Sequence, residues 1–373
     1  MPVPRRVAVI GAGSWGTTFA KILADGGSDV VMWARRAELA REITEAKRNS
    51  DYLPGINLPR NIRASSRIEE ALEGADHIYL SIPSQSLRSN LEALAPALTE
   101  RTVLVSLMKG VEKGTGLRMS EVIAQVLPID PSRIAVASGP NLALEIAKEQ
   151  PTAAVIASVS LETAQEVALA ATNRYFRSYV NTDVIGTEFG GVLKNLIAVA
   201  IGIVDGVGYG ENTKASIITR GLAEMTDFAV AYGGEAVTMS GLAGLGDLIA
   251  TSSSSLSRNN TAGRLLGQGY SFADVVKTMQ QTAEGLASVA PVLELASARG
   301  VDMPIVRQVS QVLAGTLDPK DIAPHLTTDS DEPQGERNID DQQARSGRSF
   351  WRPFKRALDQ LRDGGGGTPS DRS

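Results

Sequence analysis

The chain has 373 residues, no cysteine, two histidines and a formal net charge of −5. This composition excludes disulfides, a cysteine nucleophile and a Cys/His metal centre, and no strongly basic domain is present to bind nucleic acid. The length exceeds the roughly 250 to 300 residues of a single core, so we expect two domains and an appendage. The N-terminus carries no secretory signal pattern, and the predicted location is cytoplasmic.

A glycine-rich segment near the N-terminus is the first informative motif. The apolar strand Val7–Ile10 leads directly into Gly11–Gly16, and a helical run follows. In such a unit Gly11 permits the turn, Gly13 lets the backbone approach a pyrophosphate, and Gly16 allows the helix to pack on the strand. The order predicts a dinucleotide site, with an ordinary glycine turn as the alternative.

The first half of the chain alternates between strand-like and helix-like runs. The predicted strands also cover Asp29–Trp33, His77–Ile82, Thr102–Leu107, Arg133–Ala137 and Ala153–Ala157, and predicted helices cover Arg36–Lys47, Arg67–Leu72 and Ser84–Leu94. This alternation is typical of βαβ units and a mostly parallel sheet. We therefore expect an α/β fold, with a Rossmann-like, doubly wound nucleotide-binding domain over residues 1–181.

Two arginines follow the second predicted strand, about twenty residues after the glycine turn. Arginine at this place suits the 2′-phosphate of NADP, so Arg35 and Arg36 favour NADPH, and NAD remains a second option. The alternative is that both arginines begin an exposed helix while Glu38 reaches the ribose hydroxyls.

Two polar segments are predicted at the carboxyl edge of the sheet, where open α/β sheets bind ligands. Lys109 follows one strand and is a candidate for binding an anionic substrate or a cofactor phosphate, with a solvated loop lysine as the alternative. Gly139 and Asn141 follow the next strand. Gly139 allows close backbone approach, and Asn141 is interpreted as a cap of the helix that follows.

Residues 182–324 show helical periodicity and predict an all-α substrate or catalytic domain. Its first helix is apolar over Phe189–Val204 except for Lys194 and Asn195. This run is shorter than the approximately 18 residues expected of a membrane span, so we predict a core helix instead. Burial of Lys194 would lower its pKa and make it a proton donor or acceptor, unless its side chain reaches the surface.

Two further segments complete a predicted site. Asp247 lies in an apolar, glycine-rich stretch, where an unpaired charge is costly, so Lys194 is its expected partner. Ser257, Arg258 and Asn259 precede a helical run, and an arginine beside helix-start amides suits a phosphate group, although ordinary surface charge is the alternative. Together these features predict nicotinamide-dependent reduction of a ketone in a small phosphorylated substrate, with no metal site.

Residues 325–373 are predicted to be a disordered, basic and glycine-rich extension. Its aromatic and leucine residues recur at near-helical spacing: Phe350, Trp351, Phe354, Leu358 and Leu361. A solvated tail is the favoured interpretation, and weak contact with a membrane surface is the alternative.

Many of these motifs together resemble the bacterial NAD(P)-dependent glycerol-3-phosphate dehydrogenase family. The matching segments are Gly11–Gly16, Tyr52–Gly55, Lys109-Gly110, Gly139–Ala143, Gly186–Asn195, Asn212–Ala215, Gly241–Asp247 and Ser257–Asn259. The resemblance implies interconversion of dihydroxyacetone phosphate and sn-glycerol 3-phosphate, which supplies glycerophospholipid synthesis.

The resemblance also assigns roles to individual residues. It implies that Lys194 transfers the proton, with Asp247 and Asn195 beside it in the catalytic group. The implied substrate residues are Lys109, Gly139, Asn141, Lys194, Asp247, Ser257, Arg258 and Asn259. The implied cofactor residues are Gly11, Gly13, Ser14, Trp15, Gly16, Arg35, Arg36, Lys109, Ala143, Arg258 and Glu284.

Two other functions remain open from the sequence. Another two-domain ketone reductase, of the ketopantoate or 3-hydroxyacid type, would share the glycine turn and the Lys-Asn pair, but its substrate is a carboxylate. A nucleotide-sensing module without catalysis would have no use for a buried Lys194. The expected partners are the small substrate and, as an option left open, a second copy of the chain. His77 is interpreted as a core residue.

Overall fold

The computed structural model describes residues 5–279 and 284–322, with only the backbone of Glu284. The predicted extension over residues 325–373 lies outside this part of the chain. The eight strands are β1 Arg6–Ile10, β2 Asp29–Trp33, β3 Ile62–Ser65, β4 His77–Leu80, β5 Val103–Ser106, β6 Ile134–Ser138, β7 Thr152–Ala157 and β8 Phe176–Asn181. They form one sheet in the order β3-β2-β1-β4-β5-β6-β7-β8.

The predicted doubly wound, mostly parallel sheet is confirmed. Every neighbouring pair of strands is parallel except β6 and β7, which are antiparallel. The helices of this half are α1 Ser14–Asp25, α2 Ala37–Arg41, α3 Ile68–Leu72, α4 Leu87–Leu91, α5 Met119–Val126, α6 Ala143–Ala147 and α7 Leu161–Ala171. Apolar side chains of α1 and α7 pack on one face of the sheet, and those of α3, α4 and α5 pack on the other.

The second half is helical, as predicted. Its helices are α8 Val184–Val207, α9 Glu211–Ala231, α10 Ala236–Met239, α11 Asp247–Ser253, α12 Arg258–Gly267, α13 Phe272–Thr278, α14 Glu284–Ala298 and α15 Pro304–Leu313. Helix α8 lies at the centre, and the core around it includes side chains of α9, α12, α14 and α15.

Helix α8 corrects one sequence expectation. It has 24 residues, so the argument that the apolar run is too short to span a membrane is wrong. Among the described helices, α8 alone is long and apolar enough for a span, yet 83% of its apolar window is buried inside the protein. Its apolar surface is therefore satisfied by the surrounding helices, as in a core helix.

Glycines bring α12 unusually close to α8. A Cβ atom at Gly202 would lie 2.2 Å from the Asn260 carbonyl oxygen, and one at Gly263 would lie 2.1 Å from that of Val199. Backbone therefore packs directly on backbone, which places the first turn of α12 beside the middle of α8. The glycines thus set the distance between the two helices that carry Lys194 and Arg258.

Candidate active site

The glycine turn has the predicted strand–turn–helix context. Strand β1 ends at Ile10, and α1 begins at Ser14. Gly11 has a φ of +115°, and a Cβ atom there would lie 2.2 Å from the Ser81 carbonyl oxygen, so only glycine fits. At Gly13, by contrast, a Cβ atom would meet nothing within 4 Å, so the backbone is open to a ligand.

The residues around this turn fit a dinucleotide. No side chain caps the N-terminus of α1, which leaves its first amides free to bind an anion. The indole Nε1 of Trp15 is buried without a hydrogen-bond partner. The Ser14 hydroxyl donates to the Tyr52 carbonyl at 2.7 Å, which ties the turn to a neighbouring loop.

The two arginines lie where β2 ends and α2 begins, and both are exposed. The Arg36 guanidinium forms an ion pair with Asp51, and its central carbon lies 6.0 Å from the centre of the Tyr52 ring. Glu38 occupies the first turn of α2 and is exposed as well. The carboxyl end of β2 therefore presents charges of both signs.

A second group of charges converges on Asp247 from distant parts of the chain. Lys109 Nζ lies 2.5 Å from Asp247 Oδ2, and Lys194 Nζ lies 3.0 Å from Oδ1. Lys109 also donates to the Gly139 carbonyl at 3.0 Å, and Lys194 donates to Thr251 Oγ1 at 2.6 Å. The predicted pairing of Lys194 with Asp247 is thus confirmed, and Lys109 and Gly139 belong to the same cluster.

Burial and charge act in opposite directions on Asp247, which is 2% exposed. Burial raises the pKa of its carboxyl, but the positive charges of Lys109 and Lys194 lower it more, so the pKa lies below its ordinary value. One carboxylate between two ammonium groups leaves a net positive charge. The cluster therefore favours an anionic ligand.

The chain belongs to a known family, as its sequence matches show. The model of the N-terminus of NAD-dependent glycerol-3-phosphate dehydrogenase matches residues 6–164, and the model of its C-terminus matches residues 183–324. This chain is a member of the NAD-dependent glycerol-3-phosphate dehydrogenase family.

Individual relatives agree with this family assignment. A protein of Leifsonia xyli subsp. xyli, named glycerol-3-phosphate dehydrogenase (NAD(P)+), is 76% identical over 369 residues, which are 98% of this chain and 100% of the relative. The relative of the same name from Streptomyces griseus subsp. griseus is 52% identical, over 90% of this chain and 99% of its own.

Solved structures agree as well. The crystal structure of glycerol-3-phosphate dehydrogenase from Coxiella burnetii has a TM-score of 0.82 and 35% identity, over 88% of this chain and 100% of that one. A ketopantoate reductase from Ralstonia eutropha reaches a TM-score of 0.51 at 18% identity, over 85% of this chain and 99% of that one. The second likeness shows a shared fold alone.

In this family member the asparagines predicted at the site link three helices. Asn195 Nδ2 donates to the Gly191 carbonyl at 3.1 Å, and its Oδ1 accepts from Asn259 Nδ2 at 2.8 Å. Asn259 Oδ1 in turn accepts from the backbone amide of Gly285 at 3.0 Å. Asn259 therefore joins α8 to the start of α14. The side chain of Glu284, predicted to bind cofactor, lies outside the described residues.

The start of α12 differs in one respect from its prediction. Ser257 is buried, and its Oγ accepts from the Asn260 amide at 3.2 Å, so this helix-start amide is already satisfied. Arg258 is the first residue of the helix and is exposed. The start of α12 would therefore bind an anion through the positive charge of Arg258 more than through free backbone amides.

The predicted capping role of Asn141 is wrong. Helix α6 begins at Ala143 with no side-chain cap, because Leu142 holds the capping position. Both amide atoms of Asn141 are instead buried without a partner, as are the hydroxyls of Ser138 and Ser252. Buried polar atoms are normally hydrogen bonded, so these atoms fit contacts to a ligand.

Several other predictions can be compared with the structure. Lys194 is 7% exposed, so the alternative that its side chain reaches the surface is wrong, and His77 is fully buried in β4 as expected.

Sequence reasoning missed Thr251, whose Oγ1 also lies 3.2 Å from Asp247 Oδ1. The signal was its spacing, since residues four apart on a helix share a face. In residues 5–279 and 284–322, no group of three or more acidic, histidine or cysteine side chains is placed to hold a metal.

Proposed function

We propose that this protein reduces dihydroxyacetone phosphate reversibly to sn-glycerol 3-phosphate with NADPH or NADH, and so supplies glycerophospholipid synthesis. Family membership supports this reaction, and both relatives named above carry NAD(P)+ in their names. The observation that carries the chemistry is the Lys194 ammonium, which is buried and paired with Asp247. A small phosphorylated ketone matches the net positive charge of this cluster.

Lys194 is the proposed proton donor. When bound, the nicotinamide would supply a hydride for the carbonyl carbon. The Lys194 ammonium donates its proton to the carbonyl oxygen. Asp247 holds the ammonium in place through the ion pair, while Thr251 Oγ1 fixes its direction through the 2.6 Å hydrogen bond. In the reverse direction the same amine accepts the proton.

The substrate phosphate has its proposed site at the start of α12. Arg258 supplies an exposed positive charge, and Asn259 is held in place by Asn195 and Gly285. Lys109 adds charge from the end of β5, while Gly139 and Asn141 complete the proposed substrate residues. A hydrogen bond from a charged donor to a phosphate is one of the stronger hydrogen bonds in proteins. We therefore expect the start of α12 to provide most of the affinity for the substrate phosphate.

The cofactor has its proposed site along the carboxyl edge of β1 and β2. Gly13 leaves room for the pyrophosphate at the start of α1, Gly11 and Gly16 allow the tight turn and the close packing that position it, and Ser14 and Trp15 flank it. The other proposed cofactor residues are Arg35, Arg36, Lys109, Ala143, Arg258 and Glu284. Arg35 and Arg36 would hold the 2′-phosphate, which makes NADPH the favoured cofactor.

The domain limits and further partners stay predictions. We propose a nucleotide-binding domain over residues 1–181 and a catalytic domain over residues 182–324, supported by the change from sheet to helices after β8. For residues 325–373 a solvated tail stays the favoured interpretation and weak contact with membranes the alternative, and a homodimer is an option left open; each is to be measured on the full chain.

The decisive experiment measures initial rates with dihydroxyacetone phosphate and, separately, ketopantoate, each with NADPH and NADH. We expect turnover of the phosphorylated ketone with both cofactors and negligible turnover of ketopantoate. Turnover of ketopantoate alone would replace this proposal with the second reductase class. Cofactor binding without any turnover would favour a nucleotide-sensing module.

A further inference from the structure

Asp51 forms an ion pair with Arg36, one of the arginines of the proposed cofactor site. We infer that Asp51 determines cofactor specificity, because its carboxylate competes with the 2′-phosphate of NADPH for the Arg36 guanidinium. This inference rests on the proposed function and refines it. It explains how a site with two arginines also accepts NADH.

The position of Asp51 is imposed by the residues around it. Asn49 is buried, and its Nδ2 donates to the Ala12 carbonyl at 2.9 Å and to Thr17 Oγ1 at 2.7 Å. On the other side of Asp51, the Tyr52 carbonyl accepts from the Ser14 hydroxyl at 2.7 Å. Both flanking residues are therefore fixed to the glycine turn, and the carboxylate is held at the edge of the cofactor site.

Arg36 is equally restricted. It holds the capping position of α2 directly after β2, and its guanidinium carbon lies 6.0 Å from the centre of the Tyr52 ring. The side chains of Arg36 and Asp51 are 51% and 54% exposed, so the ion pair opens to solvent and a ligand can reach it. The 2′-phosphate of NADPH must therefore displace Asp51 from the Arg36 guanidinium or share the guanidinium with it.

The two cofactors meet opposite electrostatic conditions here. A 2′-phosphate carries about −1.5 to −2 charges near neutrality, so Asp51 repels it while Arg36 attracts it. A 2′-hydroxyl is uncharged, and a carboxylate at this end of a nucleotide-binding sheet accepts its hydrogen bond. Asp51 thus weakens NADPH binding and does not weaken NADH binding.

The test measures equilibrium dissociation constants of the full chain for NADPH and NADH, by calorimetry without substrate. We expect Asp51→Asn to lower the Kd for NADPH about two- to fivefold, the range for an exposed ion pair, and not to lower the Kd for NADH. In an Arg36→Gln background the same substitution should have a smaller effect on NADPH, because the competition is lost.

Asp29→Asn is the matched control. Asp29 forms an ion pair with Arg63 at 3.0 Å, and the two side chains are 46% and 54% exposed. Asp29 begins β2, whereas Arg36 follows the opposite end of that strand. Asp29→Asn therefore changes the net charge by the same amount as Asp51→Asn but keeps the ion pair of Arg36 with Asp51. We expect both dissociation constants to stay within experimental error.

Two results would overturn the inference. These are an unchanged ratio of the two dissociation constants in Asp51→Asn, or weaker NADPH binding in that variant. Failure of the proposed function has a different signature, since the unmodified chain would then bind neither cofactor or would not turn over dihydroxyacetone phosphate.

Discussion

Two buried carboxylates in the helical half show how differently the same group behaves in two regions. Asp247 is 2% exposed in the cluster with Lys109 and Lys194, and Glu224 is 7% exposed where α9 meets the start of α15. Glu224 Oε1 accepts from the Ile305 amide at 2.8 Å, while its Oε2 is buried without a partner. The regions match in burial and differ in the charges that face the carboxylate.

The pKa values of the two groups move in opposite directions. Two ammonium groups outweigh burial at Asp247 and lower its pKa, whereas burial dominates at Glu224 and raises the pKa to about 8. The Ile305 and Val306 amides and the positive charges of Arg220 and Arg307 offset only part of that burial effect. Burial by itself therefore does not decide whether a carboxyl is charged; its partners do.

Removal of the Lys194 amine should give the largest effect on activity. We expect Lys194→Ala to lower kcat by about 10² to 10⁴-fold, because general acid catalysis is lost, and to leave the cofactor Kd nearly unchanged. Steady-state kinetics and a cofactor titration check this. Lys214→Ala is the control, because Lys214 pairs with Asp205 and Glu211 away from the cluster. Unimpaired turnover of Lys194→Ala would remove this residue from the proposed role.

Neutralising Asp247 removes the carboxylate that pairs with both Lys109 and Lys194. Asp247→Asn leaves two lysines side by side without their shared counter-charge, and we expect a loss of about 3 to 5 kcal/mol in the free energy of unfolding. Urea denaturation measures it. Asp205→Asn removes the carboxylate of a more exposed pair with Lys214 and should cost less than about 1 kcal/mol. Similar losses in both variants would contradict the expected cost of leaving the two lysines without Asp247.

Glu224 should make stability depend on pH in the opposite sense to a paired carboxylate. Its folded-state pKa, about 8, exceeds the ordinary value of 4.5. The contribution of Glu224 to the free energy of unfolding is therefore fully present below pH 4.5 and is lost as pH rises through 8. We expect the free energy of unfolding of Glu224→Gln, measured with urea, to vary less between pH 5 and 9 than that of the unmodified chain. At pH 9 it should be the higher of the two by on the order of 2 kcal/mol. Parallel profiles of the two proteins would refute this.

The exposed Arg258 tests the proposed phosphate site. Arg258→Ala removes a charged donor from the proposed phosphate site, so we expect the KM for dihydroxyacetone phosphate to rise about ten- to a hundredfold. Arg264→Ala, in the last turn of the same helix, serves as the control. An unchanged KM in Arg258→Ala would place the phosphate elsewhere.

The strands that the sequence missed share a physical cause. Strand β3 has one buried residue among its four, Ile62, and β8 lies at the opposite edge of the sheet with Tyr179 and Val180 exposed. Edge strands lack the continuous apolar pattern of central strands, which reveals β1, β4 and β5. Pattern recognition therefore finds the middle of a sheet more easily than its borders.

The sequence by itself determined the glycine turn at Gly11–Gly16, the alternation that makes a parallel sheet, and the placement of Lys194 in an apolar helix. These three features depend on residues that are close together in the sequence, so local patterns of glycine and apolar residues predict them. Only the tertiary structure decided that Lys109 joins Lys194 at Asp247, that Asn141 is no cap, and that Asp51 reaches Arg36. Lys109 and Asp247 are 138 positions apart, and such contacts depend on how helices pack and loops turn, which no local pattern encodes.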